Sequence, residues 1–205
     1  MDALQEAATR YDMKINIKKT KTMVVSKQQG IKIEILVDGQ RLEQVKKFKY
    51  LGALLTEDGR CTDEIKVRIG MAKDALSKRK ELLTRRISKA IRKKKTLIWP
   101  VLLYGCETWT LRKEEVERLN AFEMWIWRHL ERISYKDRKT NEEVLKQIGE
   151  GRMLVQIVIN RKKNWIGHVV RHDCLMRDVI EGRMEGRRGR GRPRIGMIDE
   201  LKEKS

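Results

Sequence analysis

Three side chains near residue 170 have the chemistry of metal ligands. His168 and His172 are four residues apart, so on a helix both imidazoles would lie on one side, and the Cys174 thiolate would add a soft ligand. A tetrahedral zinc site needs a fourth ligand, which only the distant Cys106 or Cys61 could supply. Because there is no CxxC pair, we favour a loop with an exposed histidine and a packed cysteine, and we expect no bound metal.

The sequence lacks the motifs of the common catalytic sites. It has no glycine-rich phosphate loop, no HExxH and no GxSxG. Two-metal phosphoryl transfer requires clustered carboxylates that hold Mg²⁺, and no two aspartates are adjacent anywhere in the chain. We therefore expect the chain to bind no cofactor by itself.

The charge balance indicates an anionic partner. Charged residues make up 38% of the sequence, the net charge is +19 and the pI is about 10.0. With no apolar stretch long enough to cross a bilayer, nucleic acid is favoured over a lipid surface, for which no lipidation motif is present. The N-terminal residues are too polar for a secretory signal peptide, and three widely separated cysteines favour a reducing compartment. An intracellular location, in the nucleus or the cytoplasm, is expected.

Two predicted helices carry much of the positive charge. Apolar residues recur with helical spacing from Thr62 to residue 86, with Asp63 and Glu64 in the first turn, and a second helix is predicted over residues 88–99. The opposite faces are basic, so they either contact phosphates or form an ordinary solvated surface. The candidate contacts are Lys66, Lys73, Arg79, Lys80, Arg85, Arg86, Arg92, Lys93, Lys94 and Lys95.

An arginine- and glycine-rich tail occupies residues 182–205. It contains little that can be buried, so we expect it to be disordered until it meets a polyanion. Its sequence Arg-Gly-Arg-Pro at residues 190–193 matches the core of an AT-hook, whose arginines enter a narrow minor groove. Because so short a match arises easily by chance in an Arg/Gly-rich segment, general contact with phosphates is favoured. The candidate contacts are Arg187, Arg188, Arg190, Arg192 and Arg194.

The first part of the chain has the patterns of a small antiparallel β-sheet. A strand or strand pair is predicted within residues 13–26, and alternating apolar residues predict a strand over residues 31–37. Asp38-Gly39 is a two-residue hairpin signal that leads to a return strand at residues 42–45. The run FKYLGALL at residues 48–55 predicts a third strand.

The most apolar stretch, WPVLLYGCETWTL at residues 99–111, is predicted to be a buried connector. We expect Pro100 to end the preceding helix, the chain to be extended from Val101, and Gly105 to permit a bend. Thr110 is the predicted cap of the helix that follows it.

Three helices are predicted after the connector, over residues 113–133, from a capping box at Thr140 to Gly149, and over residues 152–165. Trp125 and Trp127 could stack on bases, but their position beside an apolar stripe favours core packing.

These elements predict an α+β, mainly α, architecture with four segments. A small sheet would occupy residues 1–60 and basic helices residues 61–100, followed by a helical region at residues 101–181 and the tail at residues 182–205.

Several short motifs, taken in order, resemble the C-terminal part of the reverse transcriptase of non-LTR, LINE-type retrotransposons, in particular the RTE-like group. The resemblance extends over almost the whole chain. The matching residues are Ile15-Asn16 with Lys19-Thr20-Lys21 and Met23, Tyr50-Leu51-Gly52, LLYGCETW at 102–109, Asp137-Arg138 with Asn141, Gly167-His168-Val169 with Arg171, and GRGRPR at 189–194.

The resemblance implies roles for these segments. Lys19 would lie at the end of the polymerase palm and donate a proton to the leaving pyrophosphate, and Tyr50, Leu51 and Gly52 would form a primer grip. The two basic helices would correspond to a thumb that holds an RNA–DNA or DNA duplex, and the region after Trp109 to an extension that binds the element's RNA. The full-length family uses Mg²⁺ for polymerisation.

The sequence also departs from that family. The metal-binding aspartates would precede Met1 and are absent, and Met197 stands near a position where a tryptophan is frequent. We therefore expect a truncated polymerase that binds template–primer or RNA but neither polymerises nor cuts DNA by itself. The alternatives are a repurposed, non-enzymatic chromatin-binding protein that uses the arginine tail, and a fragment without a stable function. The oligomeric state is left open.

Overall fold

A computed structural model describes residues 2–26, 28, 30–78, 98–149 and 151–181, and these residues are mainly helical with several short strands. The predicted α+β, mainly α, class is confirmed. The chain divides into two compact units, Met1–Val67 and Arg68–Ser205. The arginine-rich tail and most of the second predicted basic helix lie outside the described residues. Within the described part, no helix is long and apolar enough to span a membrane.

Two hairpins form the strand-rich part of the first unit. Strand β2 (Leu36–Val37) pairs with β3 (Gln40–Arg41) across Asp38-Gly39, whose φ angles are 50° and 72°. Positive φ at both central residues matches the right-handed twist of the flanking strands, and the predicted hairpin is confirmed. The strands are Leu36–Val37 rather than residues 31–37, and Gln40–Arg41 rather than residues 42–45, so the hairpin is shorter and tighter than predicted.

The second hairpin corrects the prediction of a single strand at residues 48–55. Strand β5 (Lys47–Tyr50) pairs with β6 (Ala53–Thr56), and the chain reverses at Leu51-Gly52 with φ angles of 46° and 85°. The continuous apolar run concealed the turn, because leucine at the first central position is not a turn residue by type.

A third pair of strands is parallel. Strand β1 (Lys21–Thr22) lies beside β4 (Glu43–Gln44), and the Lys21 ammonium lies 2.5 Å from the Glu43 carboxylate. Of the strand or strand pair predicted within residues 13–26, only Lys21–Thr22 is a strand. The prediction of one antiparallel sheet is also wrong, because the described strands form three separate two-stranded pairs. One reason is local: the Asn16 side chain accepts the Lys19 N–H at 3.1 Å and closes a turn that competes with strand pairing.

Two helices complete the description of the first part of the chain. Helix α1 (Asp2–Arg10) buries none of its residues. Helix α2 (Thr62–Lys78) begins where predicted, and the buried Glu64 accepts the Leu54 N–H at 2.7 Å, which ties the start of α2 to strand β6. The continuation to residue 86 lies outside the described residues.

The apolar connector is helical rather than extended. Helix α3 (Trp99–Leu102) has Pro100 in its first turn, a 3₁₀ turn covers Cys106–Thr108, and Gly105 joins them with a φ of 68°. Pro100 lies in the first turn of this helix, where its missing N–H costs nothing. The helix predicted to end before Pro100 lies mostly outside the described residues. The predicted burial of the connector and the bend at Gly105 are confirmed.

Within the described residues up to Glu181, the helices after the connector are α4 (Lys113–Glu131), α5 (Asn141–Ile148), α6 (Leu154–Val170) and α7 (Leu175–Glu181). Helix α4 is capped at Arg112 and not at Thr110, since the Glu115 carboxylate accepts the Arg112 N–H at 3.1 Å. The predicted capping box of α5 is confirmed, with the Thr140 hydroxyl accepting the Glu143 N–H at 3.2 Å.

Candidate nucleic-acid interface

Three aromatic rings stack along helix α4. The Phe122 and Trp125 centroids are 5.9 Å apart with planes 13° from parallel, and the Trp125 and His129 centroids are 4.8 Å apart at 21°. Spacings of three and four residues place these side chains one above the other on one helical face. Phe122 is buried and His129 is exposed, so this aromatic ladder leads from the core to the surface.

Helix α2 contributes a cation to the ladder. The Lys73 Nζ lies 5.1 Å from the centroid of the Trp125 ring, within the range of a cation–π contact. Lys73 is one of the residues predicted to contact phosphates, and its side chain is exposed. The structure therefore places a predicted phosphate contact directly beside an aromatic ring, an arrangement typical of surfaces that bind single-stranded nucleic acid.

The ladder forms one wall of a surface groove. The groove combines an aromatic surface, cationic side chains and hydroxyl groups, and it is lined by Ser77, Trp125, Arg128, His129, Arg132, Ile133 and Ser134. None of these lining residues is acidic, which favours an anionic occupant. Arg132 ends helix α4 in the left-handed conformation, with a φ of 55°, so the chain turns sharply at the edge of the groove.

Arg128 fixes the loop beside the groove. Its guanidinium donates to the Lys139 carbonyl at 2.8 Å and to the Asn141 side-chain oxygen at 3.1 Å. Asp137 stabilises the same loop by accepting the Ser134 N–H at 2.6 Å. The motif residues Asp137 and Asn141 thus hold the wall of the groove in place.

The predicted polymerase residues of the first unit lie on surface turns. Lys19 is exposed at the end of the turn that Asn16 closes. Tyr50 ends strand β5, and Leu51 and Gly52 form the hairpin tip; Tyr50 and Leu51 are both exposed. Lys66, the other described member of the predicted basic face, is exposed and lies 3.5 Å from the Asp63 carboxylate.

The remaining predicted contacts lie outside the described residues. They are Arg79, Lys80, Arg85, Arg86, Arg92, Lys93, Lys94, Lys95, Arg187, Arg188, Arg190, Arg192 and Arg194.

The three candidate metal ligands are all exposed. The His168 and His172 ring centroids are 4.8 Å apart in an edge-to-face arrangement, and Cys174 follows on the surface, so the prediction of a packed cysteine there is wrong. Among the described residues, no group of three or more histidine, cysteine, aspartate or glutamate side chains is arranged to hold a metal ion.

The apolar motif at residues 102–109 is held from helix α6. The Arg161 guanidinium donates to the Leu103 carbonyl at 3.3 Å and lies 3.8 Å from the Glu107 carboxylate. Burial raises the pKa of the Cys106 thiol to about 11, so it stays protonated and unreactive at neutral pH. Tyr104 carries the Arg68 guanidinium over its ring at 4.5 Å. These contacts give the motif a structural role.

Comparison with known proteins gives one distant relative. The chain is 28% identical over 136 residues to F52C9.6 of Caenorhabditis elegans, a protein whose name describes it as transposon-derived. The match covers 64% of this chain and 49% of that protein, so the chain spans about half the length of the relative it matches. No family model and no solved structure matches the sequence. The similarity supports a transposon-related origin.

Sequence reasoning missed His129 and Arg128. Both Trp125 and Trp127 were predicted to pack in the core. Trp127 is buried as predicted, whereas Trp125 is half-buried within the ladder. The available signal was the spacing of Phe122, Trp125 and His129, which places three rings on one face of a helix that ends in basic residues.

Proposed function

We propose that this chain is a nucleic-acid-binding part of a LINE-type reverse transcriptase, comprising thumb-like helices and the extension that follows them. The observation that carries the proposal is the groove of the second unit, where Lys73 lies over Trp125 and no acidic residue is present in the lining. The ordered motifs and the transposon-derived relative support the same assignment.

The charge distribution supports binding through phosphates. The described part of helix α2 extends to Lys78, beside the groove residue Ser77, and the sequence after Lys78 contains the most basic run before the tail. Each phosphate that such cations neutralise releases a condensed counterion from the nucleic acid, so affinity falls as salt rises.

Polymerisation is not part of this proposal. The family's reaction uses Mg²⁺ held by clustered carboxylates. The sequence has no adjacent pair of aspartates, and the described residues contain no carboxylate cluster that could hold this ion. Primer extension on an RNA template with Mg²⁺ is expected to give no product, and nucleotide incorporation would contradict this expectation.

The test is a salt titration of binding to an RNA–DNA hybrid, duplex DNA and single-stranded RNA. The expected slope is about 0.9 log units of affinity per log unit of salt for every phosphate neutralised. The variant Lys73→Gln should weaken binding and reduce the slope, because it removes a cation and keeps a polar side chain. Lys113→Gln, at the opposite end of helix α4, is the matched control and should bind as the wild type does. A flat salt response, or no binding in dilute buffer, would overturn the proposal.

The alternative is a chromatin-binding protein that uses the Arg-Gly-Arg-Pro sequence of the tail. A full-length chain with Arg190→Ala and Arg192→Ala distinguishes the two. Loss of all DNA binding in that variant favours the AT-hook-like tail, whereas retained binding to RNA–DNA hybrids favours the proposed polymerase-derived function.

A further inference from the structure

We propose that the exposed face of His129 is a stacking site for an unpaired base of a nucleic acid strand. The inference rests on the proposed function and specifies how one part of the strand is held. It concerns a base that stacks at the end of the aromatic ladder, whereas the proposed function concerns contacts of basic side chains with the phosphates of the nucleic acid.

The order of rings leaves His129 as the position where a further ring can be added. Phe122 is buried at one end of the ladder, and Trp125 in the middle is covered by the His129 ring and by Lys73. His129 is exposed, and its contact with Trp125 occupies one face of the imidazole. A base placed on the other face would be the fourth ring of the stack.

The ladder prepares His129 for this role. A free surface histidine would lose rotamer freedom when a base stacked on it, whereas this imidazole already lies against Trp125 at 4.8 Å. Trp125 is in turn held by its contacts with the Phe122 ring and the Lys73 ammonium. The platform is therefore ordered before the ligand arrives.

The groove supplies the charge that a nucleotide requires. A base stacked on His129 would place its sugar and phosphate among the side chains of the same groove, where Arg128, Arg132 and Ser134 lie. Arg128 is held by the Lys139 carbonyl and Asn141, which keeps its positive charge at the groove wall. Stacking on a ring combined with a nearby cation is the usual mode of single-strand recognition.

The arrangement selects an unpaired base. Inside a duplex both faces of each base are covered by the neighbouring base pairs, so only a flipped, terminal or single-stranded base can offer a face to an imidazole. Stacking does not read the hydrogen-bonding edge of the base, so we expect little sequence preference.

The test compares two substrates on the full-length chain at one salt concentration. One is a short blunt duplex, and the other is the same duplex with a single-stranded extension of a few nucleotides. The wild type should bind the extended substrate about tenfold more tightly, within the range measured for stacking one base on an aromatic side chain. Extensions of RNA and of DNA are compared in parallel to identify which strand the site accepts.

Two variants isolate the stacking ring. The gain is the ratio of the two affinities within each variant: His129→Ala should lose the gain from the extension, whereas His129→Phe should retain it because it keeps a flat ring. His129 is exposed, so both variants should fold, and circular dichroism with a thermal melt checks this. Gln147→Ala, an exposed substitution on helix α5 outside the groove lining, should retain the advantage of the extension.

The outcomes separate this inference from the proposed function. Binding of the blunt duplex without any gain from the extension overturns the stacking site and leaves the proposed function standing. Retention of the gain in His129→Ala also overturns it. Absence of binding to every nucleic acid overturns both.

Discussion

The buried carboxylate of Glu123 accepts the backbone N–H of Leu154 at 3.2 Å, across 31 residues of sequence. It also accepts the Met153 N–H at 3.1 Å, so a side chain in the middle of helix α4 caps the N-terminus of helix α6. A negative charge at this place is stabilised by the N–H groups and by the helix dipole. This contact joins the start of α6 to helix α4, and α6 in turn holds the apolar motif through Arg161.

Replacement of Glu123 by alanine should destabilise the protein by about 1–3 kcal/mol, because the buried Leu154 N–H and the partly buried Met153 N–H lose their acceptor. Urea unfolding followed by circular dichroism measures the change. Glu117→Ala is the control, since Glu117 is exposed on the same helix and should change the free energy of unfolding by less than about 0.5 kcal/mol. Equal effects of the two substitutions would contradict the capping role of Glu123.

The contrast between the caps of α5 and α6 explains which parts of the fold the sequence predicts. The Thr140 box uses residues three positions apart, so it is visible in the sequence and was predicted correctly. The cap from Glu123 depends on tertiary packing, and the start of α6 was predicted two residues too early. The extended conformation predicted from Val101 was similarly wrong, since a proline is equally compatible with the first turn of a helix, as at Trp99–Leu102.

The same distinction applies to the candidate site. Lys73 was predicted from the basic face of its own helix, which is a local pattern. That it lies over Trp125, and that His129 extends the stack, depends on how α2 packs in the second unit. No spacing within one helix contains that information, so the aromatic part of the groove became apparent only in the structure.

Leu51 should be replaceable with a gain in stability. It holds a φ of 46° at the tip of the hairpin, a conformation that disfavours a side chain by about 1 kcal/mol, and it is 75% exposed. Leu51→Gly should therefore raise the free energy of unfolding by several tenths of a kcal/mol, after the loss of entropy that glycine suffers on folding.

Leu55→Gly is the matched control for this prediction. Leu55 pairs with Phe48 inside the same hairpin, so a glycine there should destabilise by about 0.5–1 kcal/mol. Thermal melts of both variants measure the change: the melting temperature should rise for Leu51→Gly and fall for Leu55→Gly. A lower melting temperature for Leu51→Gly would indicate that the exposed leucine makes contacts that outweigh its backbone strain.

The Glu143 carboxylate should make the stability of helix α5 depend on acid. Its hydrogen bond from the Thr140 backbone N–H lowers the pKa of Glu143 below the ordinary value. A group with a depressed folded pKa stabilises the protein above its unfolded pKa of about 4.3, and that contribution is lost as the pH falls through the lower folded value. Glu143→Gln cannot ionise, so the wild type should be the more stable at neutral pH, and the difference should disappear in acid.

Unfolding of the wild type and Glu143→Gln across the acid range measures this difference. Glu142→Gln is the control, because Glu142 precedes it on the same helix and lies 3.9 Å from Arg152 on the surface, an interaction of small expected effect. If the difference in the free energy of unfolding between wild type and Glu143→Gln did not change with pH, the charge of Glu143 would not be its cause, and the prediction would be wrong.

Cys106 should resist alkylation in the folded protein. Burial raises the pKa of its thiol to about 11, so almost no thiolate forms at a mildly alkaline pH, and the sulfur is also inaccessible. Cys174 is exposed and serves as the internal control within the same molecule. Brief treatment with iodoacetamide followed by peptide mass spectrometry should show modification at Cys174 and none at Cys106, and both should react in urea. Rapid labelling of Cys106 without denaturant would show that the connector opens in solution, and the structural role assigned to the apolar motif and its contact with Arg161 would then be wrong.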